Sequence, residues 1–179
     1  LGELKFGAGK KFSDFFYITI STGVGGSMVI NKKPFKKIAN LVGAFGHMVI
    51  KQNGKLCGCG RRGCIEAYAS GIAIDKILKK TNKKNISTKN MLINYKDTKW
   101  SMKIISEATT FIAEGIVNVN TLTGIRNFII GGSIGLSHNF FREIIKNTKK
   151  ITKQNILIIK AGLKNDSEVF GCLAKSNDE

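Results

Sequence analysis

The alternation of apolar and polar positions along the chain predicts several short strands and four helices. Five short apolar runs are typical of strands: 15–20, 27–30, 47–51, 127–130 and 156–159. Apolar residues that recur every three to four positions predict helices at 65–78, 101–122, 137–147 and 168–174. The clearest of them, 101–122, has Gly124 as a stop signal. The polar segment 79–90 is expected to be an exposed loop.

The order of these elements indicates an α/β fold. A hairpin-like opening over 15–34 is followed by alternating helices and strands, which favours a mixed sheet. The sequence has no internal repeat, no Pro- or Ser-rich linker and no break in composition. We therefore expect a single unit over 1–179, either a compact domain or one lobe of something larger.

The size and hydropathy of the chain fit one ordinary core. It has 179 residues, of which 42% are hydrophobic. Its apolar runs are far shorter than the roughly 18 residues that a membrane helix needs, and its first residues lack the pattern of a secretory signal. We expect a soluble, cytoplasmic protein without a membrane partner.

The charge is strongly basic. The formal net charge of +17 comes from 29 Lys and Arg against 12 Asp and Glu, and only four of the basic residues are Arg. Arginine makes the bidentate contacts that nucleic-acid recognition uses, so a lysine excess spread over all segments is a weaker signal. The pattern favours a solvated basic surface over a nucleic-acid partner.

A cluster of cysteines carries the most specific chemistry. Cys57, Cys59 and Cys64 fall within eight residues, with glycines between them that allow the loop to curl. A structural zinc prefers four N or S ligands, and His47 is the nearer of the two histidines in sequence. We expect a closed, structural Cys₃His zinc site. A glycine-rich loop with reduced thiols, or a nucleic-acid zinc knuckle, are the alternatives.

Two glycine-rich turns and one carboxylate complete the candidate site. Thr22 and Gly23 follow the first predicted strand, and Gly131 and Gly132 follow the fourth. Backbone N–H groups in such turns can bind a phosphate, although similar turns are common without a ligand. Glu66 begins a predicted helix beside the cysteines, where it either faces the site or only complements the helix dipole.

Taken in order, four segments of the sequence resemble the ROK family (repressors, open reading frames and sugar kinases). They are Gly43-Ala44-Phe45-Gly46-His47, Cys57-x-Cys59-Gly60-x-x-Gly63-Cys64-x-Glu66, Thr22-Gly23-x-Gly25-Gly26 and Gly131-Gly132. The resemblance extends over the whole chain, which corresponds to the latter part of a family member.

The resemblance implies a fold and an activity. The fold is the actin-like, hexokinase-like (ribonuclease H-like) ATPase fold with a zinc-binding loop. Family kinases use ATP and Mg²⁺ to phosphorylate a hexose or N-acetylhexosamine, such as glucose or N-acetylmannosamine. They are commonly dimers. The resemblance therefore implies a second copy as the partner of this chain, or else a missing N-terminal lobe.

The resemblance also implies roles for individual residues. Thr22 and Gly23 match the turn that contacts phosphate. The adenosine part of ATP is approached by the segment that Gly131 and Gly132 match. His47 and Glu66 match sugar-contacting residues, and His47 would also bind the structural zinc together with Cys57, Cys59 and Cys64.

Three departures from the family pattern qualify the expected activity. The catalytic Asp and the N-terminal lobe are expected upstream of Leu1, so no catalytic residue is expected within this chain. Ala44 stands where family kinases have a sugar-binding Glu, and each hydrogen bond lost there is worth about 1.5–3 kcal/mol. Lys37 replaces a loop glycine. A sugar-responsive repressor and an inactive truncated remnant are therefore the alternative interpretations.

Overall fold

The computed structural model describes residues 1–35 and 44–176, which form a five-stranded sheet with helices packed on it. The strands are β1 (Phe15–Ile20), β2 (Val24–Ile30), β3 (Lys33–Pro34), β4 (Asn127–Gly131) and β5 (Leu157–Lys160). The helices are α1 (Gly2–Lys5), α2 (Glu66–Ala69), α3 (Gly71–Lys79), α4 (Thr88–Asn94), α5 (Lys99–Thr123), α6 (His138–Ile151) and α7 (Ser167–Ser176). Short 3₁₀ turns lie at Ala8–Lys11, Phe45–His47 and Lys164–Asp166.

The sheet is mixed, as the sequence predicts. Its strand order is β3-β2-β1-β4-β5. The central strand β1 is antiparallel to β2 and parallel to β4, which is in turn parallel to β5. Because β1 and β4 run in the same direction, their carboxyl ends lie at the same edge of the sheet.

Strand β1 is apolar at most of its positions because both of its faces are covered. Phe16, Ile18 and Ile20 belong to the large core beneath α5 and α6. Phe15 belongs to a smaller core on the opposite face, together with Val29 of β2. A strand buried on both sides shows a continuous apolar run in place of strict alternation.

The longest helix has clear signals at both ends. The Thr98 hydroxyl accepts a hydrogen bond from the Ser101 N–H at the amino end of α5. At its carboxyl end Gly124 adopts a left-handed conformation with φ of 73°, as the stop signal predicts. Among the described residues, none of the helices combines the length and apolar character that crossing a membrane requires.

The strand predicted at 47–51 is wrong. His47 ends a 3₁₀ turn, and Val49 forms only a single bridge with Cys64. The next amides, Ile50 and Lys51, both bind the Gly63 carbonyl, so the chain wraps around the cysteine loop and does not extend along a partner strand.

The predicted helix at 65–78 is two helices. Ser70 is extended and caps α3, since its hydroxyl accepts a hydrogen bond from the Ala73 N–H at 3.1 Å. The Gly71 N–H, in the first turn of α3, donates a hydrogen bond to the Ser21 carbonyl at 2.8 Å. The break therefore joins the helical segment to the turn after β1.

The expected loop at 79–90 ends in the short helix α4. Ser87 caps it by accepting from the Asn90 N–H, and Met91 is fully buried in the main core. The apolar residues of α4, Met91, Leu92 and Ile93, are consecutive in the sequence, so they give no helical period, which is why the pattern did not predict this helix.

Candidate active site and metal centre

The two glycine-rich turns lie side by side at the carboxyl edge of β1 and β4. In the register of these strands Thr19 stands opposite Gly131, so the turn at Thr22 and the turn at Gly132 begin next to each other. The sequence placed these turns more than a hundred residues apart, and the parallel pairing brings them together.

Gly132 is required by the backbone at this edge. Its φ is 80°, and a Cβ there would collide with the Ile20 carbonyl oxygen. That oxygen accepts hydrogen bonds from the Ile134 and Gly135 N–H groups at 3.0 and 3.1 Å. The second turn therefore folds tightly over the end of β1.

The turn at Ser21–Gly23 is anchored by the start of α3. The Ser21 carbonyl accepts from the Gly71 N–H at 2.8 Å, and the Thr22 carbonyl accepts from the Ile72 N–H at 3.3 Å. The Thr22 side chain is exposed. A hydroxyl on a fixed backbone turn is suited to bind an anionic ligand.

Glu66 joins the turn to the cysteine loop. Its Oε2 accepts a hydrogen bond from the Val24 N–H at 2.9 Å, and its Oε1 lies 4.0 Å from the Cys57 Sγ. A Cβ on Gly23 would lie 2.9 Å from Oε2, so glycine lets the carboxylate sit against the turn. Of the two interpretations of Glu66, the geometry supports the one in which it faces the site.

The candidate metal ligands converge on one point. The ligand atoms of His47, Cys57, Cys59 and Cys64 all lie within 4.8 Å of one another. His47 Nδ1 is 3.6 Å from the Cys57 Sγ, and the Cys59 and Cys64 sulfurs are 3.7 Å apart. Tetrahedral zinc with Zn–S bonds of about 2.3 Å separates its ligand atoms by about 3.8 Å, so this set fits the ion.

Glycines shape the loop that carries the cysteines. Gly60 and Gly63 have φ of 85° and 83°, a conformation that favours glycine. A Cβ on Gly63 would collide with the Lys51 carbonyl oxygen, whereas one on Gly58 would meet nothing within 4 Å. The loop is therefore closed at Gly63 and open at Gly58.

Arg61 supports the cluster electrostatically, a role that the sequence analysis missed. Its Nη2 donates to the His47 carbonyl at 2.9 Å. Hydrogen bonds from the backbone and side chain of Arg61 lower the pKa of the Cys59 thiol to about 6, whereas burial raises the pKa of the Cys64 thiol to about 12. A cation at this position compensates negative charge on the sulfurs.

Tyr68 connects the cysteine loop to helix α5, a role that the sequence pattern did not predict. Its hydroxyl accepts a hydrogen bond from the Lys55 N–H at 2.7 Å. Its ring stacks on Phe111 of α5 with centroids 4.1 Å apart. A buried tyrosine in a helical pattern looks like ordinary core, so only its contacts reveal that it holds the loop.

Of the two positions in this chain that depart from the family pattern, the structure describes Ala44 but not Lys37. Ala44 is half-buried and its carbonyl accepts from the His47 N–H at 2.8 Å, at the start of the 3₁₀ turn that presents His47. Lys37 lies outside the described residues. The structure thus gathers Thr22, Gly23, Glu66, His47 and the cysteines around one edge, with Gly131 and Gly132 adjoining them.

Comparison with known proteins identifies relatives of this chain. The family model described as "ROK family" matches residues 1–178. An N-acetylmannosamine kinase of Escherichia coli O6:H1 (strain CFT073) is 33% identical over 175 residues, which are 94% of this chain and 58% of that protein. The chain thus spans less than two thirds of the length of this curated relative.

Solved structures share the fold. The ROK hexokinase of Thermus thermophilus matches 97% of this chain and 60% of its own with a TM-score of 0.89 at 20% identity. A ROK family glucokinase from Streptomyces griseus, in complex with glucose and AMPPNP, matches 99% of this chain and 65% of its own with a TM-score of 0.87 at 24% identity. The expected hexokinase-like α/β fold is confirmed.

Proposed function

The chain belongs to the ROK family, and from this membership we propose that it is the C-terminal lobe of an ATP-dependent sugar kinase. The substrate is a hexose or N-acetylhexosamine. N-acetylmannosamine is the first choice, because the curated relative described above is an N-acetylmannosamine kinase. The proposed kinase is cytoplasmic and homodimeric.

One observation carries the proposal. Glu66 contacts the glycine turn through the Val24 N–H at 2.9 Å and lies 4.0 Å from Cys57 in the metal loop. A phosphate-binding turn and a sugar-binding loop must adjoin if a phosphoryl group is to pass between their ligands, because this chemistry depends mainly on positioning. Glu66 is where the two meet.

On the nucleotide side, the two glycine turns offer polar groups to ATP. Thr22 offers a hydroxyl and Gly23 a backbone to the phosphates, and Gly131 and Gly132 lie at the sheet edge that the adenosine would approach. Bound Mg²⁺ would neutralise negative charge on the phosphates.

On the sugar side, His47 and Glu66 bind hydroxyl groups and orient the ring. The carboxylate is an acceptor with two oxygens, and the imidazole nitrogen that faces away from the cysteines can donate or accept. His47, Cys57, Cys59 and Cys64 would hold zinc with four protein ligands, and such a closed set would fix the loop. The metal therefore shapes the sugar site without touching the reaction.

The lobe assignment is supported by the surface of α1 and α7. Phe6 and Phe170 pack against each other with centroids 5.7 Å apart, yet Phe6 is 46% exposed and Val169 is 60% exposed. These exposed apolar side chains lie on α7 and just after α1, which contact each other, and a second lobe would cover them.

The kinase proposal is tested by ADP release from the full-length gene product with ATP, Mg²⁺ and a panel of sugars. We expect turnover with N-acetylmannosamine or another N-acetylhexosamine or hexose in the panel. Glu66→Ala should lose most of the activity, whereas Glu107→Ala, which removes an exposed carboxylate on α5, should keep it. A protein that is folded but inactive on every sugar would refute the proposal.

The metal proposal is tested by elemental analysis of protein purified without chelator. We expect one zinc per chain, lost in Cys59→Ser and retained in Cys172→Ser, since Cys172 lies on α7 and outside the cluster. Purified wild-type protein without bound zinc would exclude the site.

A further inference from the structure

We propose that metal binding at His47, Cys57, Cys59 and Cys64 orders the glycine turn at Ser21–Gly23 and the Val24 amide that follows it, and that Glu66 is the positioning residue that couples the metal site to the turn. This inference rests on the metal site proposed above and extends it, because it assigns the metal an effect on the opposite, nucleotide side of the site. Three features of the structure support it.

First, the two segments that carry the metal ligands are hydrogen-bonded to the start of the helix that carries Glu66. Cys64 is fully buried and lies two residues before Glu66, and the Ala67 N–H binds the Cys64 carbonyl at 3.0 Å. Ile65 donates to the Met48 carbonyl at 3.0 Å, which connects the same point to the residue after His47. Both segments that supply metal ligands therefore meet at the first turn of α2.

Second, the Glu66 carboxylate reaches both sides. Oε1 lies 4.0 Å from the sulfur of Cys57, and Oε2 accepts from the Val24 N–H at 2.9 Å. A displacement of the cysteine loop therefore moves the Cys57 sulfur beside Oε1, while Oε2 still accepts the hydrogen bond from the turn.

Third, the turn depends on Glu66 at one amide in particular. The carbonyls of Ser21 and Thr22 are held by the N–H groups of Gly71 and Ile72 in α3. The Val24 N–H is bound by the carboxylate instead, across 42 positions of sequence. Its protection therefore reports the position of Glu66, whereas the protection of Gly71 reports the attachment of the turn to α3.

The coupling is reciprocal by thermodynamic linkage. If metal binding stabilises the ordered turn, then removal of the contact at Glu66 must weaken metal binding by the same factor. A typical coupling changes affinity by about fivefold or more.

Hydrogen exchange of single amides in the full-length protein, zinc-loaded and after chelation, tests the inference. In the wild type we expect exchange at Val24 to accelerate about tenfold on metal removal, as loss of one charge-assisted hydrogen bond implies. Glu66→Ala should exchange fast in both states. Glu66→Gln, whose amide oxygen still accepts from Val24, should restore the metal response.

A second measurement is competition for zinc with a chromophoric chelator. Glu66→Ala should bind zinc about fivefold more weakly or worse, whereas Glu107→Ala should match the wild type. Both readouts leave turnover aside, so they separate the coupling from the kinase activity.

The contradicting results are distinct. Unchanged exchange at Val24 on metal removal would refute the coupling, and equal acceleration at Val24 and Gly71 would show general loosening and refute the role of Glu66. Failure to bind zinc would overturn both the metal site and the coupling. Coupling in a protein that phosphorylates no sugar would uphold this inference and overturn only the kinase proposal.

Discussion

Among single residues, Glu3 has the densest set of contacts away from the candidate site. Its side chain is 4% exposed. Oε2 accepts from the N–H groups of Ala8 and Gly162 at 2.7 and 3.0 Å, and Oε1 accepts from the Leu163 N–H and the Ser167 hydroxyl at 2.9 and 2.8 Å. One carboxylate thus joins α1 to the segment that leads into α7.

We predict that Glu3→Ala destabilises the protein by about 3 kcal/mol, because the buried donors lose a charged acceptor. Urea unfolding of the full-length protein would measure it. Glu3→Gln should lie between Glu3→Ala and the wild type, and Glu107→Ala should unfold like the wild type. Equal stability of Glu3→Ala and Glu107→Ala would contradict the role assigned to the carboxylate.

Among single residues, the candidate metal ligands could be predicted from the sequence, whereas the hydrogen bonds between distant segments could not. The spacing of Cys57, Cys59 and Cys64 with His47 was sufficient to predict the cluster, because short glycine-rich spacing forces proximity. The contact of Glu66 with Val24 was not predictable from spacing, since it depends on how the β1–β2 turn packs on α2. The role of Arg61 was hidden for the same reason.

Among the elements, the metal loop depends on backbone conformation more than on side chains. Gly63 has φ of 83° and has no room for a Cβ beside the Lys51 carbonyl, whereas Gly58 has open space around it. The two glycines lie in the same loop and differ only in these constraints.

Gly63→Ala is expected to weaken zinc binding at least about tenfold, because a side chain at this φ costs roughly 1–3 kcal/mol before any collision. Gly58→Ala should change the affinity less than about twofold. Chelator competition on both variants is the measurement. Equal affinities would mean that the loop tolerates a displaced backbone at Gly63.

The sequence predicted regular elements well and irregular ones poorly. Helix α5 follows a clear period over its whole length and ends at Gly124 as expected. The failures at 47–51 and just after Ser70 have one cause. In both places two successive backbone amides, those of Ile50 and Lys51 and those of Gly71 and Ile72, bond to a carbonyl in a separate loop. Local patterns contain no information on such bonds.

For the whole molecule, the net charge of +17 is the most conspicuous property. The described residues include lysines in contact with aromatic rings, such as Lys55 with its Nζ 4.8 Å from the centroid of Tyr68. The salt dependence of DNA binding distinguishes a solvated basic surface from a nucleic-acid interface.

We expect DNA binding by the full-length protein to be weak and independent of sequence. It should be lost between about 50 and 200 mM salt, because only phosphate contacts would support it. Fluorescence anisotropy with unrelated duplexes of equal length would show this. Salt-resistant binding to one duplex would contradict the expectation and favour the repressor interpretation.

The segment that contains α1 contacts a segment far along the chain, and this has a consequence for folding kinetics. Glu3 binds Gly162 across 159 positions of sequence, and β1 pairs with β4 only after the whole of α5 has been crossed. Contacts of such high sequence separation form late and slow the folding of a domain. We therefore expect the edge that holds both glycine turns to be among the last parts of the molecule to assemble, after its helices have formed.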